Sequence, residues 1–298
     1  MRQGIALIGF GEAGRTFAAG WGSGAAPDLR ACDLRAAEPG LQEAARAAGI
    51  TCHSHPGPAL AGAAVAFCLV TADQALAAAR AAADVLPAGL LWLDGNSCAP
   101  GTKRRAAAVI EAVGGHYVDL AVMAPVAVRG HRTPCLLAGP QAVAAAEALA
   151  PLGMDLRVVG SRVGDASAIK MLRSVMIKGF EALTAECLLA ARRAGVEGEV
   201  LASLQASDPG WNWQARGAYN LERMLAHGTR RAAEMREVVR TLADLGLPAR
   251  MSAAAAEWQD QLAALHVAPG PDDLASRADR ILAALPAGDA EGSASAAQ

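Results

Sequence analysis

Residues 5–14 read I-A-L-I-G-F-G-E-A-G, a short apolar run closed by Gly9, Gly11 and Gly14. This G-x-G-x-x-G follows an apolar strand and opens a helix, the setting in which it binds a dinucleotide. Gly9 permits the tight turn, Gly11 lets a pyrophosphate approach the backbone, and Gly14 lets helix and strand pack closely. The pyrophosphate would rest on the free amides that begin the helix, so Phe10, Glu12 and Ala13 belong to the same site. A carboxylate about 20 residues further on completes the pattern by bonding the adenosine ribose. Asp33 stands there, which favours NAD; Arg35, two residues on, leaves NADP possible.

A second chemical feature is a lysine in a mostly apolar stretch, residues 164–181. At helical spacing Ser167, Lys170, Ser174, Ile177 and Lys178 share roughly one face. A lysine there either snorkels to solvent or faces a cleft. In a desolvated cleft, with Arg173 one turn along, an amine gives up its proton more readily, which suits a general acid/base near neutral pH. Two further stretches could line such a cleft. Residues 94–100, D-G-N-S-C-A-P, follow a strand and put Asn96 and Ser97 where ligands bind in open parallel sheets. Residues 119–126, D-L-A-V-M-A-P-V, follow another strand and include Met123. Val70 and Thr71, at the end of a third strand, are expected to line the cofactor with Asn96.

The elements around these residues alternate. Strands are expected over 5–9, 29–33, 65–70, 90–94, 116–120, 135–138 and 155–159, with helical stretches between them, one over 39–48. This rhythm predicts an α/β fold, a doubly wound Rossmann sheet with helices on both faces. After 163 the pattern turns helical. A proline-free helix is predicted from 165 to 193, stopping at Ala194-Gly195, then helices over 198–206, 211–226, 229–245 and 249–265. The expected domains are 1–162, dinucleotide-binding, and 163–285, all-helical and joined by the long helix. Residues 286–298, rich in Gly, Ser, Ala and Asp, read as a disordered tail.

Composition narrows the function. The chain has 298 residues, 53% hydrophobic, and a formal net charge of -2. That supplies no basic field for nucleic acid and no basic amphipathic stretch for a membrane surface. No charge-free run reaches the length of about 18 apolar residues that spans a bilayer. Met-Arg-Gln-Gly leads directly into a strand, so no secretory leader is expected. Six cysteines, at 32, 52, 68, 98, 135 and 187, form no C-x-x-C pair and match no zinc spacing. They read as reduced thiols of a cytoplasmic protein without a metal, Cys98 standing out only because it lies within a motif.

The glycine turn and the three later stretches, in this order, resemble the β-hydroxyacid dehydrogenase family, which includes the 3-hydroxyisobutyrate, tartronate semialdehyde and 6-phosphogluconate dehydrogenases. The resemblance covers roughly residues 3–265. It implies that Lys170 is the acid/base group and that Ser97 contacts substrate. The sequence also departs from the family pattern. Met123-Ala124-Pro125 replaces a Ser-Gly-Gly that offers backbone donors, and proline offers none. Ser174 replaces an asparagine, and H-G-T-R-R-A-A-E-M, residues 227–235, replaces a C-terminal Lys-Asp pair. Those features resemble a branch whose C-terminal domain is 6-phosphogluconate-dehydrogenase-like and of unknown function.

The expected activity is hydride transfer between a nicotinamide and a small hydroxy or keto compound held between the domains. Ser97, Met123 and Ser174 are its expected contacts. His227 and Arg231, with Arg230, could hold an anionic group, unless Arg230 simply pairs with Glu234 at i+4. His131 and Arg132 are lesser anion candidates. Trp211 and Trp213, alternating in P-G-W-N-W, line either a cleft or the core. The resemblance implies a homodimer or homotetramer. Alternatives on the same fold are an imine reductase, an oxidative decarboxylase and a dinucleotide sensor without catalysis.

Overall fold

The computed structural model describes residues 4–21 and 28–286. Among them, strands β1 (Gly4–Ile8), β2 (Leu29–Cys32), β3 (Thr51–His53), β4 (Ala63–Cys68), β5 (Leu91–Asp94), β6 (His116–Val122), β7 (Cys135–Ala138) and β8 (Leu156–Gly160) form one sheet. Its order is β3-β2-β1-β4-β5-β6-β7-β8. Every neighbouring pair is parallel except β6 with β7. The strand order reverses between β1 and β4, the switch point beside which such sheets bind ligands.

The intervening helices are α1 (Glu12–Trp21), α2 (Pro39–Ala47), α3 (Pro56–Leu60), α4 (Ala75–Ala83), α5 (Pro100–Ala112), α6 (Val126–Arg129) and α7 (Ala142–Leu149). They cover both faces of the sheet, so its central strands are unbroken apolar runs rather than alternating ones. All five residues of β1 are buried. On one face the rings of Phe17, Trp21 and Phe67 meet tilted or edge-on, with centroids 5.0 to 6.4 Å apart. On the other, Ala6, Ala66, Trp92 and Tyr117 pack with Leu60 and Ile110.

Helices α8 (Asp165–Arg193), α9 (Glu197–Ser207), α10 (Trp213–Asp244), α11 (Arg250–Ala264) and α12 (Leu274–Ala284) follow. Packing divides the chain into two units. The first runs up to Ser174 and includes Glu237–Ala249; the second holds Val175–Arg236 and the residues from Arg250 on. Helices α8 and α10 each contribute to both units.

Three elements differ from expectation. Strand β3, T-C-H, is an edge strand too short to carry a pattern. Helix α12 begins at an N-cap, Asp273, whose carboxylate accepts from Ser276 N at 2.7 Å. The break expected between 226 and 229 is absent, because α10 is continuous through Gly228. A Cβ at that glycine would lie 2.6 Å from Gln259 O and 2.8 Å from Ala263 Cβ. Gly228 therefore admits the close approach of α11 and does not end a helix. Residues 287–298, most of the expected tail, lie outside the described residues.

Candidate functional site

The glycine turn leaves the end of β1 beside the switch point. Gly9 has φ +97°, and a Cβ there would lie 2.6 Å from Leu69 O. A Cβ on Gly14 would lie 2.5 Å from Gly9 O. Both glycines are thus required by the protein's own backbone. Gly11 is not: a Cβ there would meet nothing within 4 Å. A glycine with open space before it fits a turn against which a phosphate lies, as its sequence position implied. Glu12 and Arg15 are exposed.

Asp33 is fixed to this turn. Its Oδ2 accepts from Phe10 N at 2.9 Å and its Oδ1 from Arg35 N at 2.9 Å. Arg35 Nε stands 3.9 Å from Oδ1 on a side chain 61% exposed. Each carboxylate oxygen keeps a lone pair for a ribose hydroxyl. Strand ends β1, β4 and β5 are joined by Leu69 N to Ile8 O, 2.7 Å, and Gly95 N to Cys68 O, 2.9 Å. Val70 and Thr71 follow Leu69, and Asn96 follows Gly95, so all lie along this edge.

Beneath the loop after β5 is a group that sequence reasoning missed. Lys103, wholly buried on α5, sits 3.0 Å from Asp94 Oδ1 and 3.3 Å from Asp119 Oδ1. It also donates to the main-chain oxygen of Asp94. Asp94 Oδ2 accepts from Tyr117 OH at 2.7 Å, and Oδ1 accepts from Asn96 N, 2.9 Å, and Asn96 Nδ2, 2.7 Å. Asp119 Oδ2 accepts from Gly164 N, 3.1 Å, Ser167 N, 2.9 Å, and Ser167 Oγ, 3.0 Å. One carboxylate therefore shapes the Asn96-Ser97 loop and the other caps α8. Burial opposes the charge on Lys103, but Asp94 and Asp119 outweigh it and hold its ammonium above the usual lysine range. Burial, and then the Asp94 charge, push the Tyr117 hydroxyl and the Cys98 thiol upward. Cys98 is buried, donates to Ala72 O and remains a thiol.

These two arms bring Lys170 and Ser97 together: Lys170 Nζ donates to Ser97 Oγ at 2.7 Å. Glu237, from the end of α10 that belongs to the first unit, accepts from Ala99 N at 2.7 Å and steadies the same loop at the start of α5. Asn96 Oδ1 is buried without a hydrogen-bond partner, an acceptor turned to a missing donor. With the open side of Gly11, it fits a bound dinucleotide.

The remaining expected contacts are placed differently. Met123 N is taken by Pro134 O at 2.9 Å, extending the β6–β7 ladder, and Met123 O accepts from Arg173 at 3.4 Å. The Met123 amide is therefore not left as a donor, and its carbonyl already accepts. Ser174 Oγ turns back to Lys170 O at 2.9 Å. In the second unit, Arg231 is buried and forked onto Glu181, Nε to Oε2 2.8 Å. Arg230 pairs with Glu234 at 3.2 Å, and Lys178 reaches the same carboxylate at 2.9 Å. Arg231 thus ties α10 to Glu181 of α8, and Arg230 pairs within α10 itself. His227 is half-buried on α10. His131 packs against Gly20, and Arg129 and Arg132 border a shallow recess that also contains Asp155. Among the described residues no cluster of His, Cys, Asp and Glu could hold a metal ion, and no helix is long and apolar enough to cross a membrane.

Comparison with known proteins bears on the family and the fold. Residues 191–262 match the family described as a domain of unknown function (DUF1932). A conserved hypothetical protein from Sinorhizobium meliloti 1021 is 38% identical, with TM-score 0.75 over 96% of this chain and 97% of that one. The conserved protein MTH1747, of unknown function and structurally similar to 3-hydroxyacid dehydrogenases, is 33% identical, with TM-score 0.68 over 88% of this chain and 98% of that one. The fold is shared at 18% identity with 3-hydroxyisobutyrate dehydrogenase from Mycobacterium tuberculosis, TM-score 0.73 over 95% and 99% of the two chains. An uncharacterized 28.5 kDa protein of Methanothermus fervidus is 28% identical over 118 residues, which is 40% of this chain and 45%, less than half, of that relative. With a doubly wound sheet, a helical C-terminal part and the four motifs in order, the chain belongs to the β-hydroxyacid dehydrogenase superfamily, in the branch that carries this C-terminal domain.

Proposed function

We propose that the protein is an NAD(P)-dependent dehydrogenase, NAD favoured, that interconverts a small hydroxy compound and its ketone or aldehyde, with Lys170 as general acid/base. The observation that carries this reading is the 2.7 Å contact between Lys170 Nζ and Ser97 Oγ at the carboxyl edge of the sheet. Gly9, Phe10, Gly11, Glu12, Ala13 and Gly14 would hold the pyrophosphate, Asp33 the adenosine ribose, and Val70, Thr71 and Asn96 the nicotinamide half. When bound, the nicotinamide supplies a hydride acceptor or donor at ring carbon C4.

Lys170, as the neutral amine, would take the proton from the substrate hydroxyl; in reduction its ammonium would return that proton to the oxygen. Because Ser97 Oγ accepts from Lys170, its own O–H is left to donate to the same substrate oxygen. The buried Lys103 frame keeps both groups in place before substrate arrives, which lowers the orientational cost of the step. The reading has the enzyme working in the cytoplasm as a homodimer or homotetramer.

The test is titration with NADH and NADPH, read by energy transfer from tryptophan, followed by a screen of hydroxy acids and aryl alcohols with NAD⁺. Tight NADH binding and turnover abolished in Lys170→Ala support the reading. Failure to bind either dinucleotide overturns it.

A further inference from the structure

The second unit carries a feature that the catalytic reading leaves unused. Where α10 begins, the rings of Phe180, Trp211 and Trp213 cluster with centroids 5.3 to 6.0 Å apart. Trp213 is fastened by its indole N–H to Asp208 O at 3.2 Å. Trp211 is 39% exposed and Tyr219 48%. With Gly210, Asn212, Ala215 and Arg216 these two rings line a recess of about 410 Å³, within the range of small-ligand sites, roughly 300–1,000 Å³.

Arg216 is the unusual member. Its guanidinium carbon lies 4.9 Å from the Trp211 ring centre, 5.5 Å from Phe180 and 5.9 Å from Tyr219. Its Nε is buried and has no hydrogen-bond partner. Among the described residues no carboxylate stands within ion-pair distance of it, unlike the buried Arg231 and Arg277 of the same unit, which are paired with Glu181 and Asp272. Ring faces stabilise a cation only weakly, so the guanidinium's two outer NH₂ groups keep unused capacity for a bidentate anion. The other polar groups of the lining agree. Asn212 Oδ1 is engaged with Ala215 N at 2.9 Å, which leaves its NH₂ as a donor, and the Tyr219 hydroxyl can donate as well. No lining residue is acidic. The walls are flat and aromatic, and the polar lining is rich in donors.

We propose that this recess binds a flat organic anion, an aromatic carboxylate, with the carboxylate on Arg216 and the ring against Trp211 and Tyr219. The site belongs to the second unit alone and stands whether or not Lys170 is catalytic.

The experiment is calorimetric titration of the full chain with benzoate, cyclohexanecarboxylate and benzyl alcohol. Benzoate is expected to bind one per chain, cyclohexanecarboxylate at least tenfold more weakly, and benzyl alcohol not measurably. Arg216→Lys, which keeps the charge but loses the fork, and Trp211→Ala should each weaken benzoate at least tenfold while their thermal midpoints and NADH binding stay near wild type. Lys170→Ala should leave benzoate binding unchanged, which separates this site from the catalytic one. Absence of benzoate binding, equal binding of the saturated acid, or indifference to Arg216→Lys overturns the proposal. So does a wild-type oligomer that dissociates in Trp211→Ala without any benzoate binding, because the face is then a contact between copies. If Trp211→Ala misfolds, benzoate protection of the wild-type tryptophans from acrylamide quenching gives the second readout, and no protection counts against the site.

Discussion

Lys170 Nζ lies 2.7 Å from Ser97 Oγ although 73 residues separate them in the chain. Both reach the contact from one origin. The loop carrying Ser97 is tied to Asp94, the helix carrying Lys170 is capped by Asp119, and Lys103 bridges the two carboxylates. The Lys170–Ser97 contact is therefore set by a buried ionic frame and not by either loop alone.

Replacing Lys170 by alanine removes the proposed proton acceptor without touching the glycine turn. A loss in kcat of about 10²–10⁴-fold is expected from the loss of general acid/base catalysis, with the NADH dissociation constant within about threefold of wild type. Steady-state rates and fluorescence titration measure the two. A parallel loss of NADH binding would mean that Lys170 supports the cofactor rather than the chemistry.

Lys103→Met leaves Asp94 and Asp119 buried without their cation. Breaking such a frame costs about 3–5 kcal/mol, visible as a lower urea midpoint. The deficit should shrink in acid. A buried carboxylate deprived of its cation takes up a proton more readily than in the unfolded chain, so the variant is least destabilised at low pH and most destabilised near neutrality. Unfolding curves at several pH values check this.

The glycines of the turn separate folding from binding. In Gly14→Ala the new Cβ meets Gly9 O at 2.5 Å, so both stability and NADH affinity should fall. In Gly11→Ala nothing of the protein lies within 4 Å, so the thermal midpoint should stay within a few degrees while NADH affinity drops about tenfold or more. Equal binding by Gly11→Ala would show that no phosphate lies against the turn.

On the proposed function, cofactor choice would rest on Asp33 and Arg35. Asp33→Ser removes the carboxylate that would accept ribose hydroxyls and repel a 2′-phosphate, and leaves Arg35 to attract one. The NADH-to-NADPH affinity ratio is expected to fall at least tenfold, measured by titrating both. Some loss of stability accompanies it, since Phe10 N and Arg35 N lose part of their acceptor.

Gly228→Ala tests the helical unit. Its Cβ would lie 2.6 Å from Gln259 O, an overpacking expected to cost about 1–3 kcal/mol in chemical denaturation. Were Gly228 a helix break, alanine would stabilise the chain instead.

How much of this was legible follows from which interactions are local. The G-x-G-x-x-G turn, Asp33, the long proline-free α8 and the sheet were readable because strand apolarity, glycine φ and helix stops act over a few residues. Lys103 was not: in P-G-T-K-R-R it has the look of a solvated helix face, and only the arrival of Asp94 and Asp119 from β5 and β6 accounts for its burial. Gly228 looked like a break because a glycine's neighbour across a helix interface leaves no trace beside it in the chain. The pairing of Arg231 with Glu181, 50 residues earlier on α8, likewise leaves no trace in the local sequence. The sequence by itself determined the dinucleotide-type turn, the class of fold and the candidate acid/base lysine, since each depends on spacing along one segment. Tertiary structure alone decided which charges neutralise one another, which glycines are close-packed and that Ser97 is the partner of Lys170. Those facts depend on burial and on contacts between segments distant in the chain, and no local pattern encodes them.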